Sequence, residues 1–180
     1  MTRDELKAAV DKYGLKLMHD DQIVATKTQG VNPAEFRAEI GPHKQEFIEF
    51  LVFEERARRE EFERREATFE AIPGVAELRV AYEQRGEWHR AFDRMMETGS
   101  SIMPAIAAPT PEELKALEEQ YPDAVWALEV ERREQTTTNY ELGAIWKETY
   151  DALCDGQDIA TVRAQHEEKM KVYTDRHIWD

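Results

Sequence analysis

Apolar residues along this chain recur mostly three and four positions apart, the spacing of helices with one buried side. Thr2 and Glu5 have capping-box spacing, Leu6, Ala9, Val10 and Tyr13 form a stripe, and Gly14 suits a left-handed stop. These residues predict a helix from about Arg3 to Tyr13. Leu15 to His19 and Ile23 to Thr28 read as two strands of a hairpin turned by Asp20, Asp21 and Gln22. Asn32, Pro33 and Glu35 then start a short helix with Phe36 and Ile40 inward. Gly41 and Pro42 break it, and a further helix from near His43 is expected to bury Phe47, Ile48, Leu51 and Val52.

From Glu54 to Glu66 nearly every residue is charged, with Glu54 and Arg58, Glu55 and Arg59, Glu60 and Arg64, and Glu61 and Arg65 four apart. Such pairs each add roughly 0.2 to 0.5 kcal/mol to a helix, so this stretch reads as a solvated helical connector ended by Pro73 and Gly74. Val75, Leu78, Tyr82, Trp88, Phe92 and Met95 mark the next helix. The loop 98–109 carries Ile102, Met103 and Ile106, which either tuck over a core or offer a contact. Thr110, Pro111 and Glu113 start a short helix with Leu114 and Leu117 inward.

Pro122 to Cys154 is the expected spine, with Val125, Leu128, Leu142, Trp146, Tyr150 and Leu153 along one side. As one helix it would span roughly 45 to 50 Å. The stretch Gln135 to Asn139, QTTTN, is a poor helix former and marks either a kink or a polar layer. After Asp155 and Gly156, Asp158 caps a last helix with Ile159, Val162, His166, Met170 and Tyr173 inward. The terminal Ile178, Trp179 and Asp180 either dock back onto the body or anchor a partner.

The expected fold is therefore mainly α, in the α+β class. A small helix, hairpin, helix, helix unit at residues 1–52 is followed by a charged connector at 53–72. A helical domain of long antiparallel helices fills 73–180.

Charge changes this picture most. The 180 residues carry 24 Lys and Arg against 38 Asp and Glu, a net charge of -14. Residues 111–180 hold 8 basic and 17 acidic groups, so they supply most of the excess. Such a field repels nucleic acid and anionic membranes and attracts basic protein surfaces. Glu134, Glu141, Glu148 and Asp155 lie seven residues apart and form a candidate partner-binding row. The row is either the outward side of a packed helix or an array of carboxylates that occupies a groove built for phosphates.

No phosphate-binding glycine loop, dinucleotide fingerprint, HExxH or Cys and His zinc spacing is present. The five histidines are dispersed, and Cys154 has no base nearby in sequence. The expectation is a protein without catalytic residues, metal or cofactor. With one cysteine, no signal-like N-terminus and no long apolar run, a bacterial cytoplasm is the expected location.

Two resemblances add to this. The order of elements in residues 1–52, with Ile40, His43, Lys44, Glu46, Phe47, Ile48 and Leu51, resembles the N-terminal docking domains of tubulysin-type nonribosomal peptide synthetases. That resemblance implies a linear partner segment bound beside the hairpin. The succession IGPHKQEFIEFL, EAIPGVAEL, NYELGAIWKETYDALCDGQD and HIWD looks like short acidic accessory proteins of phages and integrative elements, some of which are anti-CRISPR proteins. The implied activity is inhibition of a nucleic-acid-binding effector, with guide-loaded Cas9 as the example, by binding its basic surface and blocking DNA binding or cleavage. No functional residue carries over from that plan. The alternative is a mobile-element adaptor or assembly protein that docks a partner peptide at the N-terminal unit.

Overall fold

A computed structural model describes residues 1–18, 22–27, 31–99 and 107–177. The fold is mainly α, and the described residues contain one two-stranded sheet. They form two compact units, Met1–Glu63 and Arg64–Asp180, with the boundary inside one long helix.

In the first unit, α1 (Arg3–Tyr13) begins at a capping box in which Thr2 Oγ1 accepts from the Glu5 N–H and Glu5 Oε2 accepts from the Thr2 N–H. Strands β1 (Leu15–Met18) and β2 (Gln22–Ala25) pair antiparallel, with Leu15 opposite Ala25 and Met18 opposite Gln22. His19, Asp20, Asp21 and Thr28, expected in the strands and their turn, lie outside the described residues. Asn32 Oδ1 accepts from the Ala34 N–H and opens α2 (Pro33–Ile40), which a 3₁₀ turn at Gly41–His43 joins to α3 (Lys44–Glu70).

The core of this unit is Leu6, Ala9, Tyr13, Leu15, Ile40, Phe47, Phe50 and Leu51. Tyr13 forms a T-shaped pair with Phe36, ring centres 5.2 Å apart, and donates its hydroxyl to Glu39 at 2.5 Å, so a buried polar group is satisfied. Phe50 takes the inward place expected for Val52, which is exposed. Positions 47, 50 and 51 follow the i, i+3, i+4 stripe, whereas 52 is rotated off it. The charged middle of α3 holds pairs such as Arg56–Glu60 at 2.8 Å and Glu55–Arg59 at 3.9 Å, all well exposed. Pairs of this kind keep a solvated helix wound and contribute little to tertiary stability.

In the second unit, α4 (Val75–Thr98), α5 (Pro111–Gln120), α6 (Pro122–Thr136), α7 (Tyr140–Cys154) and α8 (Ile159–His177) surround Phe69, Val75, Leu78, Ala124, Ala127, Val130, Leu153, Cys154 and Val162. The capping box at Thr110 and Glu113 starts α5. The expected spine is not one helix. QTTTN breaks it, because Thr137 turns extended and Asn139 caps a new helix, its Oδ1 accepting from the Leu142 N–H at 3.0 Å. The two halves pack on each other, and α8 packs on α7. Val125, Leu128 and Leu142 are half-buried, while the small residues Ala124, Ala127 and Val130 are sealed. Ile102, Met103 and Ile106 of the 98–109 loop, and the terminal Ile178, Trp179 and Asp180, lie outside the described residues. Among the described residues no helix is long and apolar enough to cross a membrane.

Candidate functional site

The break at QTTTN separates the four acids of the expected row. Glu134 is half-buried in the last turn of α6, whereas Glu141 and Glu148 stand on α7 and Asp155 is its C-terminal cap. Two of them face basic side chains of α8: Glu148 pairs with Lys169 at 2.7 Å, and Glu141 lies 3.6 Å from His177 Nε2. Glu134 and Asp155 have no cationic partner among the described residues. The row is thus two residues on one helix face, one at its cap and one on a different helix. It does not present an unbroken ladder of charge.

Glu148 and Asp155 are brought together at a cleft of about 200 Å³ between α7 and α8. Its lining includes the buried polar side chains of Thr149 and His166, at 4% and 6% exposure. Thr149 Oγ1 lies 2.8 Å from the Ile145 carbonyl and 2.9 Å from His166 Nδ1. With the hydroxyl proton donated to that carbonyl, Nδ1–H must be the donor to Thr149, which leaves Nε2 as a bare acceptor. Trp146, with ring centres 4.3 Å apart, and Trp126, with ring centres 6.0 Å apart in a T-shaped arrangement, flank the imidazole.

Burial holds His166 below the usual imidazole pKa, against the smaller raising effect of Glu167. A histidine depressed in the fold contributes stability that is complete above the unfolded value of about 6.5 and is lost as pH falls below it. Resistance to thermal unfolding is therefore expected to fall from pH about 7.5 to about 5.5, and the slope should flatten in His166→Gln. An unchanged slope in that variant would assign the pH dependence to other groups.

A groove of about 580 Å³ in the first unit is bounded by α1, β1 and α3. Val10, Leu15, Leu17, Phe50 and Leu51 give it apolar walls, and Lys7, Lys16, Lys27 and Arg58 stand along it with Asp11, Glu54 and Glu55. Glu54 already holds Arg3 at 2.9 Å, and Glu55 lies 3.9 Å from Arg59. Lys27 donates to the Asp11 carbonyl at 2.7 Å, while Lys7 and Lys16 have no acidic partner among the described residues. In a chain of net charge -14 this groove is locally basic.

Spacing could not find it, because Lys7, Lys16 and Arg58 come from three elements that only the fold assembles. The alternation of Leu15, Lys16 and Leu17 was its one local signal. Cys154 is 1% exposed, and burial pushes its thiol pKa up, so it rests as a protonated core residue. Among the described residues no group of three His, Cys, Asp or Glu side chains has metal-holding geometry. No family model, curated protein or solved structure matches the chain.

Proposed function

We propose that this chain is a binding protein that acts without catalysis, and that its first unit docks a linear peptide segment of a partner in the groove between α1, β1 and α3. In this reading residues 1–52 are a helix, hairpin, helix, helix docking unit, of the kind the sequence resembles, carried ahead of long antiparallel helices. The observation that carries it is the groove itself: apolar walls lined also by Lys7 and Lys16, which have no acidic partner among the described residues, in an otherwise acidic protein. Apolar side chains of the peptide would fill the walls, and its carboxylates would meet Lys7 and Lys16.

Selection of displayed 15-residue peptides on the full chain tests this reading. Binders are expected to combine apolar and acidic residues and to weaken roughly tenfold on the double variant Lys7→Glu, Lys16→Glu, the size of two exposed ion pairs. Both lysines are exposed, so reversing them leaves the core in place. Binders indifferent to the reversal would place recognition elsewhere.

A second reading keeps the acidic unit as the active surface. Here the chain inhibits a nucleic-acid-binding effector such as Cas9, in the manner of an anti-CRISPR protein, by covering basic surface that would hold DNA. Favouring it are acids of the second unit that no cation neutralises among the described residues, Glu134, Asp155, Glu167 and Glu168 among them. Against a lead role stands the division of the row by the QTTTN break. Cleavage by guide-loaded Cas9, followed while the protein is titrated in at two salt concentrations, tests this reading. Salt-sensitive loss of cleavage supports it, and full cleavage at micromolar excess removes it.

A further inference from the structure

The α7–α8 cleft lies in the second unit and takes no part in the groove reading. Three observations meet there. Asp155 on its rim is a carboxylate without a cationic partner among the described residues. His166 is 6% exposed and bonded through Nδ1 to Thr149, and its Nε2 has no hydrogen-bond partner among the described residues. His166 lines the cleft together with Thr149. Finally, Glu148, also in the lining, is already neutralised by Lys169 at 2.7 Å, which leaves Asp155 as the carboxylate open to a new cation. A buried imidazole with an acceptor nitrogen and a carboxylate that no cation holds among the described residues, both in one lining, call for a ligand that carries positive charge and several N–H donors.

We propose that this cleft seats a guanidinium group, supplied by an arginine side chain of a binding partner. One N–H would go to His166 Nε2 and another to the Asp155 carboxylate, with Gln157 and Gln165 beside them. The planar fork of five donors suits two acceptors held at different depths, and it desolvates more readily than an ammonium. A cleft of about 200 Å³ admits a side-chain head of that size and no larger folded element. Asp151, also in the lining, is occupied by Arg65 and Lys147 and serves as a fixed neighbour, not as a ligand.

N-acetylarginine amide titrated into the full chain, with side-chain NMR signals followed, tests the site, and N-acetylcitrulline amide is the neutral isostere. Saturable shifts at the His166 imidazole and the Gln165 amide are expected with arginine and not with citrulline. Asp155→Asn should weaken them about fivefold, as loss of one charge-assisted contact would. Glu168→Gln, which removes a charge outside the cleft, should leave them unchanged. Equal shifts with citrulline, indifference to Asp155→Asn, or shifts spread evenly over the acidic surface would overturn the proposal. Lys7→Glu with Lys16→Glu should not alter this titration, so failure here and failure of the groove reading are separately visible.

Discussion

Replacing Gly74 with alanine is expected to cost the second unit about 3 kcal/mol or more, one of the largest single-residue effects in the chain. Gly74 sits at φ +90°, a backbone that L residues adopt only under strain. A Cβ there would also fall 2.2 Å from Tyr121 Cγ and 2.5 Å from Tyr121 Cβ. Tyr121 has little room to retreat. Its N–H donates to the Leu117 carbonyl and its own carbonyl accepts from Val125, so its backbone is held between the end of α5 and the start of α6. Any shift there is transmitted to Val75 and Leu78, both fully buried just after the glycine.

Gly86→Ala supplies the contrast. Gly86 lies inside α4, where the nearest atom to an added Cβ is the flexible Arg90 tip at 3.5 Å, so alanine should stabilise by roughly 0.5 to 1 kcal/mol. Denaturant unfolding of the two variants measures both. A Gly74→Ala protein within about 0.5 kcal/mol of the parent would mean that the Tyr121 contact is not tight.

Arg79→Met is the second large effect, expected to cost about 2 to 3 kcal/mol near neutral pH. Arg79 links Glu131 at 2.9 Å, Glu70 at 3.2 Å and Glu66 at 3.8 Å, and its guanidinium lies 5.7 Å from the centre of the Phe69 ring. Methionine retains much of the packing and removes the charge, leaving three carboxylates facing one another. Glu131 is the costly one. Burial raises its pKa even with Arg79 present, and the Glu66 and Glu70 charges add to the rise.

A carboxylate whose folded pKa is raised destabilises most above that pKa and is relieved as it takes up a proton. The loss in Arg79→Met should therefore be largest near pH 7.5 and shrink toward pH about 5, opposite to the His166 trend. Adding Glu131→Gln should recover part of the loss and remove much of its pH dependence. If the single variant loses as much at pH 5 as at pH 7.5, Glu131 is not the group left exposed by the substitution.

Local signals translated well into structure where the physics is local. The capping boxes at Thr2 and Thr110, the Asn32 cap and the inward set Leu6, Tyr13, Phe47 and Leu51 all follow from neighbours within one turn. The spine failed because the apolar stripe resumes after QTTTN at a spacing that suits either a continuous helix or two packed halves. What decides is the Asn139 cap, whose gain over a strained helical QTTTN is only about 1 kcal/mol. On α6 the buried positions went to Ala124, Ala127 and Val130, since helices that approach closely select small side chains at the contact and leave larger ones to flank it.

The site was less legible still. Glu148 looked like a free acid in a row, and its partner Lys169 becomes visible only when α8 folds onto α7. The same holds for Arg65 with Asp151 and Arg79 with Glu131, which join residues far apart in the chain. Thr149 and His166 read as ordinary members of two helices, and only their meeting makes a polar floor.

The most direct test of the account is the affinity of one selected peptide for three forms of the full chain. These are the parent, the groove reversal Lys7→Glu with Lys16→Glu, and the acidic reversal Glu134→Lys with Glu141→Lys and Glu148→Lys. The expected result is roughly tenfold weaker binding to the groove reversal and unchanged binding to the acidic reversal. The opposite pattern, with the groove reversal binding like the parent and the acidic reversal losing the peptide, would contradict docking by the first unit and make the acidic helices the binding surface.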